Sequence, residues 1–453
     1  MILIKLVCLI VSALSLGLIY RDVVSAAMSY SSELEAAQRE GAILTDAEFE
    51  KLSAVDPNED ARPLLAPMLA RLEKVKSPLY LGNFLQFPFP ETVVVSKSNQ
   101  FSSDEALNAV FDQTGDTSIL LSKTKMSFPI ERSDPFRYTG SLFWRSYSNL
   151  IRAQIVQGLW LARRGDFEAS LQSFRIANRL IEFAYQDPNL TGYILARNLE
   201  STAFRVMSHA AIYFLKNEER SRQLLALVNE WKTLSDFEPV FKLQSYWALK
   251  AAERCETVLG YSATRSNSFD KRIFAARFPI VRRAWQTQAL RNIRELHYVA
   301  KENHFHPVAI GVASDSLRFR QEADKRVSLW FVIYTGSDFR PSSINERRRL
   351  ANQELCRASL LALEEWKKLG RWPSKLDHLP RDPFDSRRIR YRVQQNRVVL
   401  WSIGRDGKDS GGKSWKEDRK SDDVWIHLPL DPMAEASATW VRTNMYSPGP
   451  KKP

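Results

Sequence analysis

From Ser141 to about Lys232, apolar side chains recur at spacings of three and four, and this pattern restricts the middle of the chain to amphipathic helices. Ile151, Ile155, Leu159 and Ala162 form one stripe, and Leu171, Phe174, Ala177, Ile181 and Ala184 form the next. Leu195, Leu199, Ala203, Val206, Ala210 and Tyr213 form a third, and Leu224–Trp231 closes the series. Arg163-Arg164-Gly165-Asp166 and Asp187-Pro188-Asn189 supply the turns between them. Helices of this length joined by short turns pack as antiparallel neighbours, so an array of helical hairpins is expected.

The turn Gly165-Asp166-Phe167-Glu168-Ala169 is similar to that of a tetratricopeptide repeat, although no second copy at a 34-residue period is visible. Before this body, Met28–Gly41 reads as an acidic helix ending at a glycine. Thr45 and Glu48 then form a capping box, and Arg62–Lys76 carries Leu64, Leu65, Met68, Leu69 and Leu72 on one stripe. Lys76–Tyr138 is broken by Pro78, Pro88, Pro90, Pro129 and Pro135, with a brief strand-like run at Thr92–Val95. Helical character returns at Glu253–Val258, Ile280–Lys301 and Arg347–Leu369, with the apolar run Leu329–Tyr334 between the last two.

The first residues, MILIKLVCLIVSALSLGLIYRDVVSAA, contain an uncharged run at Leu6–Tyr20 behind Lys5. Ile2–Tyr20 reaches membrane-spanning length if Lys5 snorkels, which reads as a signal anchor. Val24-Ser25-Ala26 alternatively offers a cleavage site of small residues before Ala27. Either reading exports the body to the periplasmic or extracytoplasmic side. The 453-residue chain has net charge +13, and Arg265–Arg349 carries 17 basic against 8 acidic side chains. Such an excess suits an anionic lipid surface or an acidic protein. Export argues against nucleic acid, so none is expected. Cys8 lies in the hydrophobic segment, which leaves Cys255 and Cys356 as the one conceivable disulfide. Isolated helical cysteines are more often small core residues.

The C-terminal part changes character. After Glu364–Leu369, Gly370-Arg371-Trp372-Pro373 ends a helix and Leu376–Leu379 turns. Ile389–Val393 and Arg397–Ile403 alternate as strands around Gln394-Gln395-Asn396, and Val424–Leu428 is a third strand. Between the last two lie Asp406-Gly407, Asp409 and Gly411-Gly412, followed by Asp422-Asp423.

The order Gly370, Pro373, Leu376, Leu379, Asp382-Pro383-Phe384, Tyr391, Ser402, Gly404, Asp406-Gly407 and Asp422-Asp423 resembles the globular end of type II secretion major pseudopilins. The resemblance implies a calcium-binding loop closing a small sheet. Asp406 and one of Asp422 or Asp423 would be side-chain ligands, loop carbonyls would complete the shell, and Asp409 is a further candidate. The alternative is that these aspartates cap turns and pair with Lys408, Lys413, Lys416, Arg419 and Lys420. The family's N-terminal helix does not directly precede this module, so a conventional pilus subunit is not expected.

Other chemistry is thinner. His297, His304 and His306 could supply imidazoles to zinc, but no carboxylate or cysteine completes a spacing, and polar loop histidines are the plainer reading. No Gly-x-Ser-x-Gly element, P-loop or His-Glu-x-x-His sequence occurs, so no enzyme is expected. Arg282, Arg283, Arg291 and Arg294 along one helix form a candidate basic surface.

The expected fold is mainly α. A signal anchor or signal peptide (1–27) and a helical and irregular connection (28–140) precede a helical-hairpin body (141–346). A pseudopilin-like α+β module (347–446) and a disordered tail (447–453) follow. The whole order resembles bacterial membrane-anchored exported proteins with a tetratricopeptide-like helical body. The function expected from it is a non-catalytic, membrane-associated interaction or scaffold protein of the envelope. It would be held by residues 2–20, linked to a type II secretion or pilus-like system, and bound to an envelope protein of unknown identity. Two alternatives are an envelope enzyme or ligand-binding protein with a pocket between body and module, and a peripheral anionic-lipid-binding protein.

Overall fold

The computed structural model describes residues 21, 24–42, 45–53, 59–60, 62–74, 111–112, 117–122, 142–186, 190–231, 237–253, 279–304, 306, 308–310, 312–313, 316, 340–395, 397–413 and 421–437. The segment 1–20, the strand-like run Thr92–Val95, the apolar run Leu329–Tyr334 and the tail 447–453 lie outside these residues. The protein is mainly helical, with one small antiparallel sheet at the C-terminal end.

The N-terminal helices are α1 (Tyr30–Arg39), α2 (Asp46–Ser53) and α3 (Arg62–Lys74), with a single turn α4 at Ile119–Ser122. Gly41 ends α1 at φ +84°, where its N–H and that of Ala42 reach back to Gln38 O and Ala37 O. The capping box forms as the sequence predicts: Glu48 N–H donates to Thr45 Oγ1 at 3.2 Å, and Thr45 N–H donates to Glu48 Oε2 at 3.0 Å. Leu65, Met68, Leu69 and Leu72 are buried along α3.

The body contains α5 (Leu142–Arg163), α6 (Phe167–Gln186), α7 (Leu190–Phe214), α8 (Glu218–Glu230), α9 (Glu238–Glu253) and α10 (Pro279–Glu302). Helix α7 explains their arrangement. Its predicted stripe is buried apart from the half-buried Leu195, and so are Phe204, Met207, Ala211, Ile212 and Phe214, which makes it apolar nearly all round. A helix of that kind must lie inside. It packs on α5 and α6, and most extensively on α11 (Arg340–Leu369), far later in the chain. Helices α5, α6, α8, α9 and α11 therefore gather around α7, where a linear solenoid would let each hairpin touch only its neighbours, while α10 packs on α9 and α1.

Two differences from expectation stand out. Helix α9 was not anticipated, although its Val240, Phe241, Leu243, Tyr246 and Leu249 are all buried. Helix α11 begins before the expected Arg347, so the anticipated boundary between residues 346 and 347 falls inside one continuous helix.

The sheet comprises β1 (Arg390–Val393), β2 (Arg397–Ser402) and β3 (Val424–Pro429) in the order β1-β2-β3, with a short helix α12 (Pro432–Ser437) after it. Tyr391 pairs with Leu400, and Leu400 pairs with Ile426. Strand β2 is buried on both faces. Val398 and Leu400 join the main core on the α11 side. The other face, Val399 and Trp401, is covered by the loop at Gly412, where an added Cβ would lie 2.8 Å from Val399 Cγ1 and 3.1 Å from Trp401 Cδ2.

Candidate functional site

The glycine–aspartate loop leaves β2 at Ser402 and returns to β3. At Gly404 the backbone has φ +68°, and an added Cβ would lie 1.9 Å from the carbonyl oxygen of Asp422. Only glycine lets the two ends of the loop approach this closely.

The carboxylate at the centre of the loop's base is Asp382, which is fully buried. It accepts from Phe384 N–H at 3.0 Å, Ser402 Oγ–H at 2.8 Å and Ile403 N–H at 3.0 Å, and it pairs with the Arg390 guanidinium. Arg390 also reaches Asp385, and Asp409 at 3.8 Å. One carboxylate thus fastens the turn before β1, the end of β2 and the start of the loop. The Asp382-Pro383-Phe384 motif is legible in the sequence, but nothing there distinguishes this aspartate from an exposed turn residue.

The four aspartates named as metal candidates all lie in or beside the loop, and each accepts backbone amides. Asp406 Oδ1 accepts from Lys408 N–H at 3.0 Å, and Asp409 Oδ1 from Gly411 N–H at 2.9 Å and from the Trp401 indole N–H at 2.8 Å. Asp422 accepts from Arg405 N–H at 3.2 Å and faces Arg348 at 3.4 Å. Asp423 accepts from Gly412 N–H at 2.9 Å and Ser410 N–H at 3.4 Å. Burial raises the Asp423 carboxyl above the ordinary aspartate range. The amides of Gly412 and Ser410 oppose this rise, and the charges of Asp409 and Asp406 add to it.

Oxygen donors of this kind suit calcium chemically, but among the described residues no three acidic, histidine or cysteine side chains converge as a metal site. The carboxylates are directed at the loop's own N–H groups, the indole and two guanidinium groups. Among the described residues the loop closes on its own amides, and these carboxylates form no preformed calcium cage. Lys416, Arg419 and Lys420 lie outside the described residues.

The basic residues sit elsewhere, on α10 against α1. Arg291 Nε pairs with Glu33 Oε1 at 2.9 Å, while Arg294 pairs with Glu33 at 2.6 Å and with Glu40 at 2.8 Å. The Arg283 guanidinium stacks over the Tyr30 ring at 4.3 Å. Arg282 lies in the first turn of the same helix. Arg291 and Arg294 are thus turned toward acidic partners of the chain itself. His297 is buried on α10 and packs against Phe241, with ring centroids 5.7 Å apart.

One cluster was invisible to sequence reasoning. Between α7 and α11, Arg197 and Glu200 are fully buried and Glu346 and Arg349 nearly so. Arg197 pairs with Glu346 at 2.7 Å and Glu200 at 3.2 Å, and Arg349 pairs with Glu346 at 3.1 Å. The Arg197 guanidinium packs against the rings of both Tyr185 and Tyr193, 4.7 and 4.9 Å from their centroids. Tyr185 donates to Glu200, and Arg197 donates to the Tyr193 hydroxyl at 2.9 Å. Burial raises the Tyr193 phenol to about 12. Two i,i+3 pairs of opposite charge, Arg197–Glu200 and Glu346–Arg349, were the available signal, but such spacing also occurs on solvated faces.

Two further buried groups, Cys356 and His209, are shifted away from reactivity. Burial raises the Cys356 thiol to about 12, and burial with the nearby Arg205 and His427 lowers the His209 imidazole to about 3. A protonated buried thiol is a poor nucleophile and a neutral imidazole of that pKa a weak base. No protein-family model, curated protein or solved structure matches this chain.

Proposed function

We propose that the protein is a non-catalytic interaction scaffold of the cell envelope, anchored through residues 2–20, whose helical body presents a pseudopilin-like module as a fixed recognition unit. The observation that carries this reading is the continuity of α11. One helix is both the main partner of α7 in the body and the support of the sheet. A module mounted this way moves with its body, as a scaffold requires. The buried ion cluster and the inward-turned thiol and imidazole support the non-catalytic reading over an enzyme with a pocket between body and module. The tetratricopeptide-like character of the hairpins and the link to a secretion or pilus-like system belong to the same proposal, through the resemblances of sequence alone.

No helix among the described residues is long and apolar enough to cross a membrane, and the proposed anchor lies outside them. The anchor is tested by alkaline carbonate extraction of membranes from cells expressing the full chain. The full chain is expected in the membrane pellet, and a chain lacking residues 1–27 in the supernatant. Release of the full chain by carbonate would sink the anchored reading.

Calcium has a separate test. Because the loop is closed by its own amides and by Asp382, melting temperatures in calcium and in chelator are expected to coincide. A ligand binding only the folded state at 100 times its Kd would add about 2.7 kcal/mol, so occupation would be plain. A rise in calcium that disappears in Asp423→Asn would restore the metal assignment.

A further inference from the structure

The contacts between α1 and α10 follow one order. Thr287 Oγ1 donates to Ala26 O at 2.8 Å, Arg291 Nη2 to Ser29 Oγ at 2.9 Å, and Arg294 Nε to Glu40 Oε1 at 2.9 Å. Gly41 then lies beside His297. Numbers rise together on both sides, so the two segments run parallel. Ser29 N–H bonds to Ser25 O and Glu33 N–H to Ser29 O, so helical hydrogen bonding continues from the residues before α1 into α1 itself. A small separate core of Ala37, Ala42, Leu249, Leu290 and Ile293, with Tyr30 and Leu34 against it, fixes the pair from beneath.

The proposed anchor ends at Tyr20, immediately before the described Arg21. The N-terminal end of α10, with Arg282 and Arg283, lies at the same end of the pair as residues 21–28. There Arg21, Val24, Ser25, Met28 and Ser29 line a shared concave surface, and Met28 is 80% exposed. Cationic side chains beside exposed apolar ones suit a headgroup boundary.

We propose that α1 and α10 form a parallel juxtamembrane clamp, locked by Glu33 and Glu40 on Arg291 and Arg294, that holds the end bearing Arg21, Arg282 and Arg283 against an anionic lipid surface. This inference rests on the anchored reading above. It gives the basic residues two jobs: Arg291 and Arg294 orient the body, and Arg21 and Arg283 meet the headgroups.

The test uses the full chain, with Cys8 and Cys255 replaced by serine, reconstituted in vesicles of phosphatidylglycerol and phosphatidylcholine or of phosphatidylcholine alone. Cys356 is buried and stays unlabelled. A fluorophore is placed on Ser25→Cys or on Lys301→Cys, the latter about 27 Å along α10 from Arg283 by helical rise. Headgroup-linked quencher is expected to act strongly at position 25 and little at 301 in the anionic vesicles. Arg291→Glu with Arg294→Glu is expected to abolish that contrast, and adding Glu33→Arg with Glu40→Arg to restore it, which separates a broken clamp from a misfolded chain. Equal quenching at both positions in a chain that floats with the vesicles overturns the clamp. Undiminished contrast in phosphatidylcholine alone overturns the anionic surface. A chain that fails to float overturns the anchored reading and, with it, this one.

Discussion

Arg197→Met is expected to destabilise the protein by about 3–5 kcal/mol, because removing one partner of a buried ion cluster strands the others. Arg197 pairs with Glu200 and Glu346 and packs against the rings of Tyr185 and Tyr193, with no exposed surface. Without it, two carboxylates face one remaining guanidinium, Arg349. Methionine fills much of the same space, so the loss would come from charge more than from volume. Adding Glu200→Gln or Glu346→Gln to Arg197→Met is therefore expected to recover part of the loss, although each alone destabilises. Urea unfolding of the four variants closes the cycle. Independent, additive effects would show that the cluster is not a coupled unit. The unfolding should involve body and sheet together, since the cluster joins α7 to the helix that carries the sheet.

The second large effect is local. Asp382→Ala removes the acceptor of the Phe384 and Ile403 amides and the Ser402 hydroxyl, and leaves Arg390 with Asp385 as its close partner. Each buried group left unsatisfied costs about 1–3 kcal/mol, so the loop and the β2 end are expected to open. Asp382→Asn keeps the shape but offers one acceptor oxygen instead of two, and should fall between. Hydrogen exchange gives the readout: Ile403 and the β2 amides should lose protection while those of α5 and α6 keep theirs. Unchanged protection at Ile403 would mean that the aspartates nearer the loop tip hold it closed without Asp382.

The parts legible in the sequence were those whose signal is local. The stripes of α5, α6 and α8, the Thr45–Glu48 box and the Gly41 stop each depend on neighbours within a turn or two, and each appears in the structure. The hairpin of β1 and β2 was equally local. Helix α9 was missed although its stripe is local; the other features not legible depended on distant partners. Glu346-Arg347-Arg348-Arg349 belongs to the basic stretch Arg265–Arg349, and only α7, far earlier in the chain, makes Glu346 and Arg349 the buried face of α11 there. Asp382 likewise becomes a hub only when β2 and the loop return to it. The metal candidates were found as a group because they are close in sequence, but the direction of each carboxylate depends on how the loop winds over Trp401 and Gly412. Arg291 and Arg294 followed the same rule, since their acidic partners lie on α1.

The placement of α7 also sets an order of events during synthesis. A ribosome delivers α5, α6 and α7 early, but the helix that covers the largest face of α7 is made only near the end of the chain. Until then an apolar face carrying Arg197 and Glu200 lacks its packing partner and the charges of Glu346 and Arg349. Assembly of the interior is thus a late step that joins distant segments, which is slow compared with closing local hairpins and leaves the nascent chain dependent on protection from aggregation.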